Sequence, residues 1–201
     1  MTVPNPSPSI ERTSSQQASL ASSRRGVTKT SSEATMPNPA DLASRLIRNV
    51  NEVKLRHAAL EPKYECSHGR LTEGMAAKKL AAGVNVVPPG KRACPYHLHH
   101  AQEEMFVILE GTGTLRVAGE MLPLKAGDVV VIPPGHDYPH QLINTSSQVL
   151  KYLAIGTTDE PEICEYPDSG KYLAEVGVAT EHPFGVIGRT STVIDYWEGE
   201  K

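Results

Sequence analysis

Four side chains between Pro88 and Asn144 of this 201-residue chain have the types and spacing to hold a metal ion. The first group reads His97-Leu98-His99-His100-Ala101-Gln102-Glu103-Glu104, with Gly111 beyond it. The second runs from Gly127 through Pro133-Pro134-Gly135-His136-Asp137-Tyr138-Pro139-His140 to Asn144. Side chains alternate faces along a strand, so His97 and His99 point the same way, one pleat apart. Glu104 heads an apolar run, and His140 follows a further pair of strands. Three imidazoles and one carboxylate converging inside a β structure make a transition-metal site with positions left open for a ligand.

The elements that must position these groups read as β. Apolar or alternating runs over 80–87, 105–110, 114–118, 121–124, 128–132, 140–143 and 149–155 are separated by Gly, Pro and Asn-Thr-Ser-Ser breakers. Strands recurring at such intervals without a long helical pattern predict a sandwich or jelly roll. Alternation places Phe106 and Ile108 on the side of Glu104, and Leu142 and Asn144 on the side of His140. A largely apolar wall with a few polar groups is the usual makeup of a small-molecule pocket. Tyr152 or its neighbour Lys151 completes that wall from the last strand, and parity alone leaves the two open. Residues 41–63 fit a short helix or a leading strand equally well.

In these motifs the chain resembles the cupin superfamily. The first cupin motif is matched by Gly90, His97, His99, Glu104 and Gly111, with one extra residue between Gly90 and His97. The second is matched by Gly127, Pro133, Gly135, His140 and Asn144, with two extra residues between Gly135 and His140. The resemblance covers residues 75–160 and is closest to compact single-domain cupins, some of them labelled sugar-phosphate isomerases. It implies an all-β double-stranded β-helix, a jelly-roll or cupin barrel. It picks Glu104 over Glu103, and His140 over His136, as ligands beside His97 and His99. The cofactor implied is one divalent transition metal (Fe, Mn, Ni or Zn). The expected organisation is a disordered tail over 1–39, an extension packing on the barrel over 40–74, the barrel over 75–165 and a C-terminal extension over 166–201.

Around the metal, His136 and Tyr138 in the turn before His140 are candidate acid/base groups, since an imidazole titrates near neutrality. Lys91 and Arg92, after a Pro-Pro-Gly turn, are candidate anchors for an anionic substrate, with Tyr152 as a further binding residue. His100 and Glu103 face solvent or orient a ligand from outside, and Asn144 satisfies backbone at a strand end. Cys94 stands three residues before His97. The reaction expected is metal-assisted isomerisation or lysis of a small oxygen-rich metabolite, a sugar derivative or a hydroxy or keto acid. A mononuclear iron dioxygenase and a non-catalytic ligand-binding module are the alternatives.

Composition narrows the partners. Net charge is −3, split into +2 over residues 1–40 and −5 over the remainder, so no basic field invites nucleic acid or an anionic membrane. No apolar run reaches the ~18 residues of a membrane helix. Three scattered cysteines without a CxxC pair fit a reducing compartment, and a cytoplasmic protein is expected. Residues 1–39 carry 14 Ser or Thr, five Pro and no aromatic, which predicts disorder. Their Arg- and Ser-rich, acid-poor character also resembles an organelle transit peptide, and Met36 is an alternative start. Residues 166–171 read as a turn, and Asp195-Tyr196-Trp197 begins a tail that packs on the barrel or on a second subunit. Open sheet edges predict a homodimer.

Overall fold

The computed structural model describes residues 38–177 and 183–200. The tail expected over 1–39 lies outside the described residues except for Asn38 and Pro39, which open a helix, α1 (Pro39–Leu46). Asn38 Oδ1 accepts the Asp41 backbone N–H at 3.0 Å, and Pro39 occupies the first turn, where its missing N–H has no intrahelical partner to lose. The segment that fitted helix or strand holds both, because β1 (Arg56–Leu60) follows.

Twelve further strands are β2 (Tyr64–Arg70), β3 (Leu80–Val87), β4 (Leu98–His99), β5 (Glu104–Glu110), β6 (Thr112–Val117), β7 (Glu120–Lys125), β8 (Val129–Ile132), β9 (His140–Ile143), β10 (Leu150–Thr157), β11 (Glu162–Tyr166), β12 (Lys171–Val176) and β13 (Phe184–Arg189). They form antiparallel sheets in the orders β1-β2-β3-β10-β5-β8, β13-β12-β11-β4 and β7-β6-β9. An isolated bridge between His97 and His140 links the segment at β4 to β9, making the two smaller sheets one layer. The result is the double-stranded β-helix that the resemblance implies. The expected turn at 166–171 is a short 3-10 turn (Pro167–Ser169) closed by Gly170 in the left-handed region.

One core sits between the layers. Cys66, Val87, Phe106, Ile108, Leu150 and Tyr152 face it from the six-stranded sheet; Leu115, Val117, Leu124 and Leu142 meet them from the other. Burying each large side chain contributes about 2 kcal/mol. Gly111 joins β5 to β6 at φ 83°, and a Cβ there would drive into the Val149 carbonyl, so only glycine fits this corner. Asn144 is fully buried and closes the end of β9: its Nδ2 donates to Val87 O and Gln148 O at 2.8 and 2.7 Å, and its Oδ1 accepts from Ser146 N.

The face of β6 opposite the core carries Arg116, which ties the C-terminal turn to the barrel. Its guanidinium lies 3.8 Å over the Tyr96 ring and donates two hydrogen bonds to Asp168, at 2.6 and 2.8 Å. This pairing holds the Asp168 carboxyl below its ordinary range. A depressed folded-state pKa contributes stability that is full above the ordinary value of about 4 and is lost as pH falls through the folded one. Asp168→Asn should therefore lower Tm at pH 7, with the difference from wild type shrinking as the pH drops below about 4. A difference independent of pH in thermal melts would mean the pair contributes nothing electrostatic.

Candidate metal centre

Three separate stretches of backbone deliver the cluster. His97 and His140 exchange backbone hydrogen bonds, His97 N to His140 O at 3.0 Å and His140 N to His97 O at 2.7 Å, which sets their rings side by side with centroids 4.6 Å apart. His99 lies opposite Cys164 in the β4–β11 ladder, and Glu104 starts β5. The Nε2 atoms of His140, His97 and His99 stand 2.8, 3.5 and 3.5 Å from one atom, Glu104 Oε2. All four residues are largely shielded from solvent.

The far side of each ring decides what that convergence means. Nδ1 of His97 faces Pro95 O at 2.9 Å, and Nδ1 of His140 faces Tyr138 O at 3.1 Å. A peptide carbonyl only accepts, so both Nδ1 atoms carry the proton and both Nε2 atoms present lone pairs. His99 Nδ1 faces the Glu162 carboxylate at 3.2 Å, with the same consequence. Three lone pairs and a carboxylate thus meet with no donor among them, an arrangement that calls for a cation. Without one, a proton must serve. Burial opposes charging His97, but hydrogen bonding to Cys94 and Glu104 outweighs it and carries its pKa up to about 11. Burial likewise opposes ionising Glu104, yet His140 and His97 hold its carboxyl far below the usual range. His99 is pushed the other way, chiefly by burial.

Glu162 underlies this site and escaped the sequence reading, where it is one of three acids in Asp159-Glu160-Pro161-Glu162. It is 2% exposed. Its Oε1 accepts from His100 N at 3.0 Å as well as His99 Nδ1, and its Oε2 accepts from Ala101 N and Gln102 N, both at 3.0 Å. One carboxylate therefore folds the 100–102 turn and fixes the tautomer of His99.

Of the other residues expected at the site, Tyr152 faces inward, 3% exposed, with its ring 6.0 Å from that of Phe106. Burial drives its hydroxyl pKa well up, so it is a donor at any neutral pH. Its neighbour Lys151 points away to Asn51 Oδ1 at 2.9 Å, which resolves the parity left open by sequence. Lys91 departs from expectation: its ammonium is held by Glu61 at 2.6 Å and Pro62 O at 3.0 Å, a fixed surface pairing in place of a substrate anchor. Arg92 is tied to buried Gln141 at 3.4 Å on the outer side of β9. Tyr138 serves the cluster through its carbonyl while its side chain is exposed, and His136 lies beside His100 and Glu165 on the exterior. Neither side chain is among the groups that meet at Glu104. Cys94 stands near the cluster, its sulfur 3.9 Å from His97 Nδ1.

A cavity of about 740 Å3 opens with Glu104 on its wall. Small inward residues make the room: Ala81, Gly83, Ala154 and Gly156 all line it. His68 and Arg70 also line it, from β2. The His68 ring lies over Gly83, where any side chain would collide with it. His68 Nδ1 is 3.0 Å from Oδ1 of buried Asn85, and Nε2 has no hydrogen-bond partner among the described residues. The alternation Cys66-Ser67-His68-Gly69-Arg70 was the signal for these two residues, and reading a strand there would have found them.

A closed double-stranded β-helix with a His/His/Glu/His cluster at one end of its interior defines the class of protein. Residues 83–156 match the family described as Cupin domain. An uncharacterized protein of Methanocaldococcus jannaschii is 31% identical over 51% of this chain and 70% of its own length. An oxalate-binding protein of Thermotoga maritima is 32% identical over 45% of this chain and 73% of its own. The chain belongs to the cupin family. In fold it also superposes, with a TM-score of 0.65 and 23% identity over 76% of this chain and 97% of the other, on the crystal structure of a candidate sugar phosphate isomerase from Acidithiobacillus ferrooxidans.

Glu162→Ala strands two backbone donors, Ala101 N and Gln102 N, and the His99 imidazole N–H, while His100 N keeps Ile163 O; it should destabilise the protein by about 3 kcal/mol in urea unfolding. A loss under about 0.5 kcal/mol, the level of an ordinary surface change, would show that the carboxylate does not organise the turn.

Proposed function

We propose that this cupin is a metal-dependent enzyme that moves a proton on a small oxygen-rich metabolite, a sugar derivative or a hydroxy or keto acid, in isomerase or lyase chemistry. One observation carries the reading. Acceptor atoms with fixed tautomers converge at Glu104, on the wall of a cavity that also holds a histidine with an uncommitted nitrogen. His97, His99, Glu104 and His140 are the ligands for one divalent ion of the Fe, Mn, Ni or Zn class. Held there, such an ion would supply Lewis-acid polarisation of a substrate carbonyl.

The chain's own groups do the rest. His68 Nε2 takes and returns the proton, with Nδ1–H held by Asn85 so that the ring cannot swing away. Tyr152 packs in the core beside Phe106, behind the residues that line the cavity. Arg70 and Lys78 share the cavity lining with Glu73, Glu160 and Glu175, a mixed-charge lining that suits a polyhydroxy compound better than a bare polyanion. The relative from Thermotoga maritima is named for oxalate, a small molecule with adjacent oxygens, which is support of the same chemical kind. That name also favours a second reading, a module that binds such a ligand without turning it over. A second copy of the chain is the proposed partner. Val129 and Val131 on edge strand β8, Ile187 on edge strand β13, and Tyr196 and Trp197 beyond it are all more than half exposed in the single chain.

His140→Ala should abolish tight binding of an ion at Glu104 in metal analysis after dialysis, while His68→Asn should leave metal content unchanged. Turnover should fall about 10²–10⁴-fold in His68→Asn, the usual worth of a proton-transferring group. The assay is deuterium incorporation from D2O into a panel of sugar derivatives and hydroxy acids. Exchange next to a carbonyl supports the reading; oxygen uptake without exchange contradicts it, and ligand binding with neither makes the protein a binder. Light scattering at micromolar concentration should return twice the chain mass of 21.7 kDa, and a monomer mass would remove the proposed partner.

A further inference from the structure

Back to back with the inner cluster, across β4, lies a second convergence of ligand atoms on the outer surface: His100, His136 and Glu165. His100 Nε2 is 2.7 Å from Glu165 Oε1, His136 Nε2 is 3.9 Å from the same oxygen, and the two rings meet edge to face at 4.7 Å. One ligand atom from each residue lies within 4.8 Å of the others. We propose that these three side chains form a second, solvent-facing transition-metal site, of the zinc type, with its remaining coordination position open.

The backbone has pre-set the spacing. Glu165 stands opposite Leu98 in the β4–β11 ladder, and His100 N donates to Ile163 O at 3.0 Å, so the first and third ligands are fixed in register. The turn carrying His136 is pinned to the same strand, since Gly135 N donates to His99 O at 2.7 Å. Alternation then separates the two sites: His99 and Cys164 face inward, His100 and Glu165 outward. Chemistry agrees with geometry. Two imidazoles and a carboxylate are the protein ligands of open zinc sites, at about 2.0–2.2 Å. His100 and His136 are exposed and Glu165 is half-buried, which leaves these side chains room to rotate toward that distance. Among the described residues no lysine or arginine is paired with Glu165, whose ion-pair partners are His100 and His136 alone.

An ion there clips the 133–139 turn to β4 and β11. The same turn carries Tyr138, whose carbonyl orients His140, so the outer site would stiffen the inner one without contacting it. Nothing in the outer set depends on the reading of the inner cluster.

The test is zinc titration of the chelator-treated full chain by calorimetry, with thermal melts in parallel. Wild type should bind about two equivalents, and His136→Ala and Glu165→Gln about one each. His140→Ala should keep the outer equivalent, and the double variant His136→Ala with His140→Ala should bind none. If wild type binds a single equivalent that His136→Ala removes and His140→Ala spares, the outer site stands and the inner reading fails. Zinc binding in His136→Ala and Glu165→Gln identical to wild type would overturn the proposal, as would outer-site binding only above about 1 mM. His136 is exposed and Glu165 half-buried, and unchanged metal-free melts would exclude misfolding as the cause of a loss.

Discussion

Lone pairs crowd one another at the mouth of this barrel, and the rest of the structure is arranged so that they cannot turn away. The Nδ1 protons of His97 and His140 are committed to peptide carbonyls that have no other chemistry to offer, and that of His99 to a buried carboxylate. Each imidazole therefore faces Glu104 with its basic nitrogen. A folded protein ordinarily avoids burying acceptors without donors, because each such group costs one to several kcal/mol. Here the cost is built in by main-chain geometry, through the paired backbone bonds of His97 with His140 and the β4–β11 ladder. A cluster whose side chains are locked in this way has its geometry fixed by the fold alone.

Along the inward face the same strands change from filling to opening. On β10 the inward residues run Leu150, Tyr152, Ala154, Gly156; facing them on β3 are Val87, Asn85, Gly83, Ala81. On β5 the order toward the same end is Ile108, Phe106, Glu104. Large apolar side chains close one end of the barrel and make its core, and side chains shrink to nothing at the other. The space so left is the cavity, floored by core and walled by Glu104 and His68. Stability is thereby concentrated at one end, and room for a ligand at the other.

Much of this was legible in the sequence because β structure has a period of two. Once a strand over 140–143 was recognised, His140 and Leu142 had to share a face, and the two histidines flanking Leu98 followed the same rule. What failed to show depends on contacts between residues far apart in the chain. Lys91 looked available until Glu61, thirty positions earlier, was folded against it. Glu162 stands out from the neighbouring acids Asp159 and Glu160 only when the 100–102 turn is laid over it. The two residues inserted before His140 lengthened the turn, and His136 lies with His100 and Glu165 on the exterior. The β2 strand was passed over because its polar residues, Glu65, Ser67, His68 and Arg70, hide a pattern in which only Cys66 reports the core.

X-ray absorption at the zinc edge, on His136→Ala protein loaded with one equivalent of zinc, tests the central claim most directly. The account predicts a first shell of about four light atoms at 2.0–2.2 Å with the outer-shell scattering of about three imidazole rings. A shell of oxygen alone, or one with fewer than about two imidazoles, would mean that the converging nitrogens do not hold the ion, and would contradict it.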